Sequence, residues 1–273
     1  HTIANLKITG NNDYVGLFGY TSNANILNIH IISGSVSGKD YVGSVCGSSS
    51  ITHCSNASSV SGENYVGGIC GSGSATACYN TGSVSGSDNY VGGICGTGSV
   101  TACYNTGSVS GKDYVGGVCG SGSYIGASIT ACYNTGSVSG SYCVGGVCGF
   151  PYSYSNPYVS YYISITACYN TGSVSGGGSY NSSASGVIYA YSSSTTTIIT
   201  ACYWKDVADD NADYGVGSSS NTGTSIFSIT AWPTIATHTQ WGTGDGSGDG
   251  KYWKSLGGWN GGNPVYPKLF FED

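Results

Sequence analysis

A ten-residue phrase, Ala77 to Gly86 (ACYNTGSVSG), returns almost unchanged at Ala102–Gly111, Ala131–Gly140 and Ala167–Gly176. A degenerate copy spans His53–Gly62 and a truncated one Ala201–Tyr203. A second phrase precedes the copies, at Tyr65–Gly71, Tyr90–Gly96 and Tyr114–Gly120. Self-similarity at a short fixed period means one structural unit stacked many times. The tyrosines of the second phrase set the step: Tyr41 to Tyr65 is 24 residues, Tyr65 to Tyr90 is 25, and Tyr90 to Tyr114 is 24. Later steps lengthen through insertions, to 29 from Val115 to Val144 and 34 from Cys168 to Cys202. With a shorter first coil near Tyr14–Gly19, seven coils are expected, the last one degraded.

Within a coil, three β-prone runs are separated by Gly and Ser, as in Tyr90–Cys95, Val100–Asn105 and Ser108–Ser110. Runs of this length between turn residues read as strands. Abundant Gly (47 residues) and scarce Ala, Leu and Glu argue against helix. The expected fold is all-β, a parallel solenoid of triangular section. Its coils would hydrogen-bond to one another at ~4.8 Å, so seven would make a rod about 34 Å long. Strict alternation in the middle run predicts that Leu27, Val100 and Ile165, Ile29, Ala102 and Ala167, and Ile31, Tyr104 and Tyr169 face the core. Thr76, Thr101, Thr130, Thr166 and Thr200 then line the opposite face, beside cysteines. Val36, Val60, Val84, Val109, Val138 and Val174 form another inward column.

Ten of the twelve cysteines form pairs, one pair in each of five coils. One column is Cys46, Cys70, Cys95, Cys119 and Cys148; the other is Cys54, Cys78, Cys103, Cys132, Cys168 and Cys202. Insertions lengthen the gap between the two, yet both survive. The first coil lacks both, with Phe18 and His30 read at the matching places. This joint presence predicts a disulfide across one corner of each coil: Cys46–Cys54, Cys70–Cys78, Cys95–Cys103, Cys119–Cys132 and Cys148–Cys168. Stacked cysteines of one column would also lie within disulfide reach, at ~5 Å. Cys143, which replaces the column tyrosine, and Cys202 are left free, paired together, or available to link chains. Such staples imply an oxidising, extracellular setting. No CxxC knuckle supports a zinc site.

At these residues a family resemblance emerges. Val66–Gly71 followed by the Ile165–Gly176 type of phrase resembles the GLUG-motif repeat of bacterial secreted and surface proteins, over about Tyr14 to Tyr203. Pro264–Leu269 is similar to the segment that closes such repeats. The resemblance implies a β-solenoid, export, and a surface or structural role, and it carries no catalytic residue to transfer. The regular cysteine pairs depart from relatives, where these positions are often aliphatic or small.

Only 7% of residues are charged, and the net charge is -6 with no Arg. Nucleic-acid binding, which needs clustered cations, is therefore disfavoured. No apolar run approaches the length of a membrane span. The chain begins at His1, which reads as a processed or trimmed product.

Loop 150–162, with Phe150, Tyr152, Tyr154, Tyr158, Tyr161 and Tyr162, is the candidate binding loop. It leaves the same corner as the shorter insertion carrying Tyr124, and aromatic surfaces of this kind bind glycans or proteins. Its bland reading is a flap that shields the coil wall. The threonine column could order water, as ice-binding solenoids do, but β-propensity explains it more simply. Asp245–Gly250 resembles the start of a calcium loop but has Leu256 where the bidentate Glu belongs. No cofactor is expected beyond that weak calcium signal. His1, His30, His53 and His238 are scattered, and no nucleophile elbow or zinc-protease helix occurs, so an enzyme is not expected.

Residues 1–203 are read as the solenoid and 204–273 as a capping or junction region holding Trp232, Trp241, Trp253 and Trp259. At the other end, Ile3, Leu6 and Ile8 read as part of an uncapped coil. The expected function is a non-catalytic extracellular filament subunit or surface stalk, stacking end to end through these two ends. The alternative is a monomeric adhesin that binds a glycan or protein through loop 150–162.

Overall fold

The computed structural model describes residues 1–122, 127–150, 162–176, 184–189, 196–204, 216–217, 226–228, 252–255, 258–260 and 263–272. Among them there are strands and turns and no helix. Four parallel sheets carry the fold, because each coil contributes four strands rather than three. In one coil these are Asn89–Gly92, Cys95–Thr101, Tyr104–Asn105 and Val109–Ser110. Five coils have all four. A first coil has only the Val15 bridge in place of its leading strand, and among the described residues a seventh shows the first three. Thr2–Ile3 and Leu6–Thr9 add a partial rung below the first coil, paired with His30–Ile31 and Gly34–Ser37.

Two columns of left-handed residues create the fourth strand. One holds Tyr41, Tyr65, Tyr90, Tyr114 and Cys143; the other holds His53, Ala77, Ala102, Ala131, Ala167 and Ala201, all with φ between 50° and 64°. A non-glycine residue there costs about 1–2 kcal/mol. The neighbouring coil holds it in place: Ala77 N donates to Thr101 O at 3.0 Å and Ala102 N to Thr130 O at 2.9 Å.

The corner at Ala102 overturns the expected facing. Alternation is interrupted there, so Cys103 joins Val100 in the core, while Ala102 and Tyr104 belong to an outer cluster. The cysteines do not share the threonine face. Ile165 and Ala167 divide in the same way, and Tyr169 lies outside with Ala167.

The first coil is also offset by one residue from its expected alignment. Ile26 pairs with Ile51 and Leu27 with Thr52, leaving Leu27 48% exposed. Asn28 occupies the left-handed corner. His30 therefore stacks in the tyrosine column, on Ser55, and Ile29 takes the place of the missing cysteine. Phe18 does pair with Cys46 as expected.

The valine column is as expected: Val36, Val60, Val84, Val109, Val138 and Val174 are buried and pack with Val42, Val66, Val91, Val115 and Val144. Beside them runs a column the sequence reading passed over. Asn56, Asn80, Asn105, Asn134 and Asn170 are at most 1% exposed. The Nδ2 of Asn56, Asn80, Asn105 and Asn134 each donates to the next Oδ1 at 2.8 Å and to the carbonyl two residues on in its own coil, and Asn170 Nδ2 donates to Gly172 O. In those four both amide hydrogens are satisfied, which is what a buried amide requires. The ladder ends where Trp204 pairs with Asn170.

Candidate functional site

Three insertions leave the rod at one corner. In the third and fourth coils the second wall runs on without a break through a glycine with φ +131° (Gly73) or +141° (Gly98), a conformation that L side chains rarely adopt. In the following coils the wall stops instead, at Ser121, Phe150 and Tyr189, and resumes at Ser128, Tyr162 and Thr196. It resumes in register, with Ile129 on Val100, Ile165 on Ile129 and Ile199 on Ile165. The core therefore ignores the insertions, and their attachment points stack on one edge. Tyr124, Tyr152, Tyr154, Tyr158 and Tyr161 lie outside the described residues. Phe150 stacks on the wall, 4.8 Å from Tyr114 with a 40° tilt.

Tyr114 closes an aromatic ladder that starts at Tyr14. Rings of Tyr14, Tyr41, Tyr65, Tyr90 and Tyr114 are stacked with centroids 4.5–5.0 Å apart. The left-handed backbone repeats from Tyr14 to Cys143, so the rings repeat at the coil spacing. A second ladder joins Tyr79, Tyr104, Tyr133 and Tyr169, at 4.7–5.0 Å.

The C-terminal segment covers this second ladder from the side. Trp253 and Leu269 are fully buried together with Ala102, Ala131, Ala167 and Tyr169. Tyr133 Oη donates to Glu272 Oε2 at 2.7 Å and Tyr169 Oη to Pro267 O at 3.1 Å. Burial and the neighbouring Tyr169 and Glu272 push the Tyr133 phenol far above its usual range. Trp253 thus packs on a side wall. Trp232 and Trp241 fall outside the described residues, and Trp259 lies in the hairpin Gly258–Asn260 with Asn263–Val265. At the other end, Ile3 and Leu6 pack partly buried against the cysteine-lined core, and Ile8 against the valine columns.

All twelve cysteines are buried free thiols, so none of the five expected within-coil bridges is formed. Sulfurs approach along the columns: Cys46 Sγ lies 3.2 Å from Cys70 Sγ, one coil above. In the second column the sulfurs accept from backbone amides of the coil below, as Cys78 Sγ does from Cys54 N at 3.3 Å. Burial pushes the Cys119 thiol up to about 12 and raises Cys143 and Cys202 as well. Neither Cys143 nor Cys202 is exposed.

His30 N donates to His1 O at 2.8 Å, and His238 lies outside the described residues. His30 Nδ1 lies 2.9 Å from Ser55 Oγ, a nucleophile–base distance, but Ser55 is 4% exposed and no carboxylate joins the pair among the described residues. No cluster of three or more metal-ligating side chains occurs among the described residues. The calcium-like run 245–250 lies outside them. Among the described residues no helix is long and apolar enough to cross a membrane.

No family model matches the chain, and no curated protein does. Among solved structures it is similar to one described as the "Crystal structure of a putative immunoglobulin A1 protease from Bacteroides ovatus". The identity is 17% and the TM-score 0.45, over 97% of this chain and 75% of that one.

Proposed function

We propose that this chain is a non-catalytic structural rod of an exported protein, a filament subunit or surface stalk, with the GLUG-type repeat as its unit and no cofactor. One observation carries the reading. Identical side chains stack in register through successive coils, as with Tyr79 on Tyr104 on Tyr133 and Val84 on Val109 on Val138. Catalysis needs unlike groups converging on one point, whereas these walls set like beside like. Such stacking extends a rod by one fixed step per repeat.

Electron microscopy of the purified chain tests this. Rods are expected, growing end to end in steps of one molecule length if the chain is a filament subunit, and staying single if it is a stalk. Compact particles that hydrolyse peptide or glycosidic bonds would overturn the proposal.

The common corner of the three insertions favours a second reading, an adhesin whose loops bind a glycan or protein. A glycan array probed with the intact chain and with a variant lacking residues 151–161 separates the two. Binding that disappears with the loop supports the adhesin.

A further inference from the structure

We infer that Cys46 and Cys70 form a disulfide that bolts the second coil to the third. The two residues are register partners on adjacent parallel strands. Such partners are ~4.8 Å apart, inside the Cα window of about 4.4–6.8 Å that disulfides occupy. Their sulfurs stand 3.2 Å apart, and closing to the bonded length of about 2.05 Å takes roughly 1 Å of side-chain movement.

The surroundings favour this pair. Cys119 and Cys148 donate to a carbonyl two residues on in their own strand, Ser121 O and Phe150 O. Cys70 donates likewise to Ser72 O, and Cys95 hydrogen-bonds Cys70 from the coil above, so Cys46 and Cys95 compete for it. Cys46 donates to the Cys70 sulfur. Second-column sulfurs sit over backbone amides of the coil below, as Cys103 does over Cys78 N and Cys168 over Cys132 N. Breaking those contacts to form a bond opposes oxidation there.

The oxidant is a small-molecule disulfide. One cysteine thiolate attacks it and expels one thiol, leaving a mixed disulfide. The second cysteine thiolate then attacks the protein sulfur and expels the other thiol. Two protein thiols are oxidised, one donor disulfide is reduced to two thiols, and the two protein protons end on those thiols. Both cysteines are 0% exposed in the closed rod, so exchange belongs to folding, before the first coil covers the second.

The test refolds the denatured, reduced chain in mixed oxidised and reduced glutathione. Free thiols are then alkylated and the unreduced chain is digested with chymotrypsin. Cleavage after Tyr41, Tyr65 and Tyr79 separates residues 42–65 from 66–79. The expected product is those two peptides joined, two hydrogens lighter than their sum, with Cys54 and Cys78 alkylated. A Cys46–Cys54 link within 42–65, or full alkylation of Cys46 and Cys70, would overturn the inference. A thermal melt gives a second readout. Reductant is expected to lower the midpoint of the refolded parent by several degrees and leave the Cys46→Ala/Cys70→Ala variant unmoved. Equal shifts in both, or none in either, count against the bridge.

Discussion

Asn80 Nδ2 donates to Asn105 Oδ1 at 2.8 Å, across two coils and out of reach of water. Asn105 in turn donates to Gly107 O and to Asn134 Oδ1, both at 2.8 Å. The ladder locks register, because a one-residue slip in any coil would leave buried amides without partners. Asn105→Ala strips a partner from Asn80, Gly107 and Asn134 together. Unmet buried groups cost about 1–3 kcal/mol each. The expected loss is about 3–5 kcal/mol in urea unfolding, against less than about 0.5 kcal/mol for Thr106→Ala, which is exposed beside it. Equal effects from the two variants would remove the ladder from the account.

The same ladder explains the second glycine of the Val-Gly-Gly phrase. A Cβ at Gly93 would fall on Gly117 O and the Asn105 side chain; at Gly117 it would fall on Gly146 O and Asn134. The neighbours on one side are backbone and cannot give way. Gly93→Ala is therefore expected to destabilise by more than about 2 kcal/mol, or to prevent folding, as overpacking does at its upper end. Circular dichroism and thermal unfolding would show it. A variant as stable as the parent would mean the coils can separate locally.

Much of this was legible in the chain. The period alone counted the coils, and one inward valine column, Val36 to Val174, could be read from the recurring third run; the column it packs against, Val42 to Val144, could not. The asparagines repeat as faithfully as the valines, but a polar residue in a Ser-rich context reads as a turn, and its partner one coil away is invisible to local reasoning. The facing of Ala102 and Tyr104 failed for a different reason. Alanine gives no warning of a left-handed backbone, so the alternation was carried straight through a corner. The first coil did hold the clue. Asn28 is a residue type enriched in that conformation, and placing the corner there aligns Ile26 with Val100. The insertion edge was readable from the lengthened steps. The packing of Trp253 on a side wall was not, because it depends on where a segment far along the chain comes to rest.

Alkali should weaken the reduced rod. Burial holds Cys119 at about 12 in the fold, against 9.0 for an unhindered thiol. Below pH 9 both states keep the proton and stability does not depend on this group. Above pH 9 the unfolded chain loses the proton while the folded chain retains it, so the unfolded state binds fewer protons and stability falls as pH rises. Across the three units the group accounts for about 4 kcal/mol, and the other raised thiols add to the same direction. Urea midpoints measured in reductant are expected to fall from pH 9 to pH 11. A flat profile across that range would show that the thiols are not sealed.

The side-wall strap offers the last test. Trp253 is fully buried against Tyr169, ring centroids 6.0 Å apart, and its strand pairs antiparallel with Lys268–Leu269. Glu272 fastens the end, accepting from Tyr133 Oη at 2.7 Å and Leu269 N at 2.5 Å. The solenoid core uses none of Trp253, Leu269 and Glu272. Trp253→Ala removes the large side chain from a closed pocket, at about 3–5 kcal/mol. The loss should fall on the strap alone, because coils carry their own ladders. Hydrogen exchange is the discriminating measurement: amides of 252–272 should become labile while those of Val84–Gly86 and Val109–Ser110 stay protected. Glu272→Gln keeps a carbonyl acceptor for Leu269 N and sets its NH2 against Tyr133 Oη, which can turn to accept, so it should weaken the strap by only about 1 kcal/mol. If Trp253→Ala opens the coil strands as well, the segment is part of the cooperative core and not a strap laid over it.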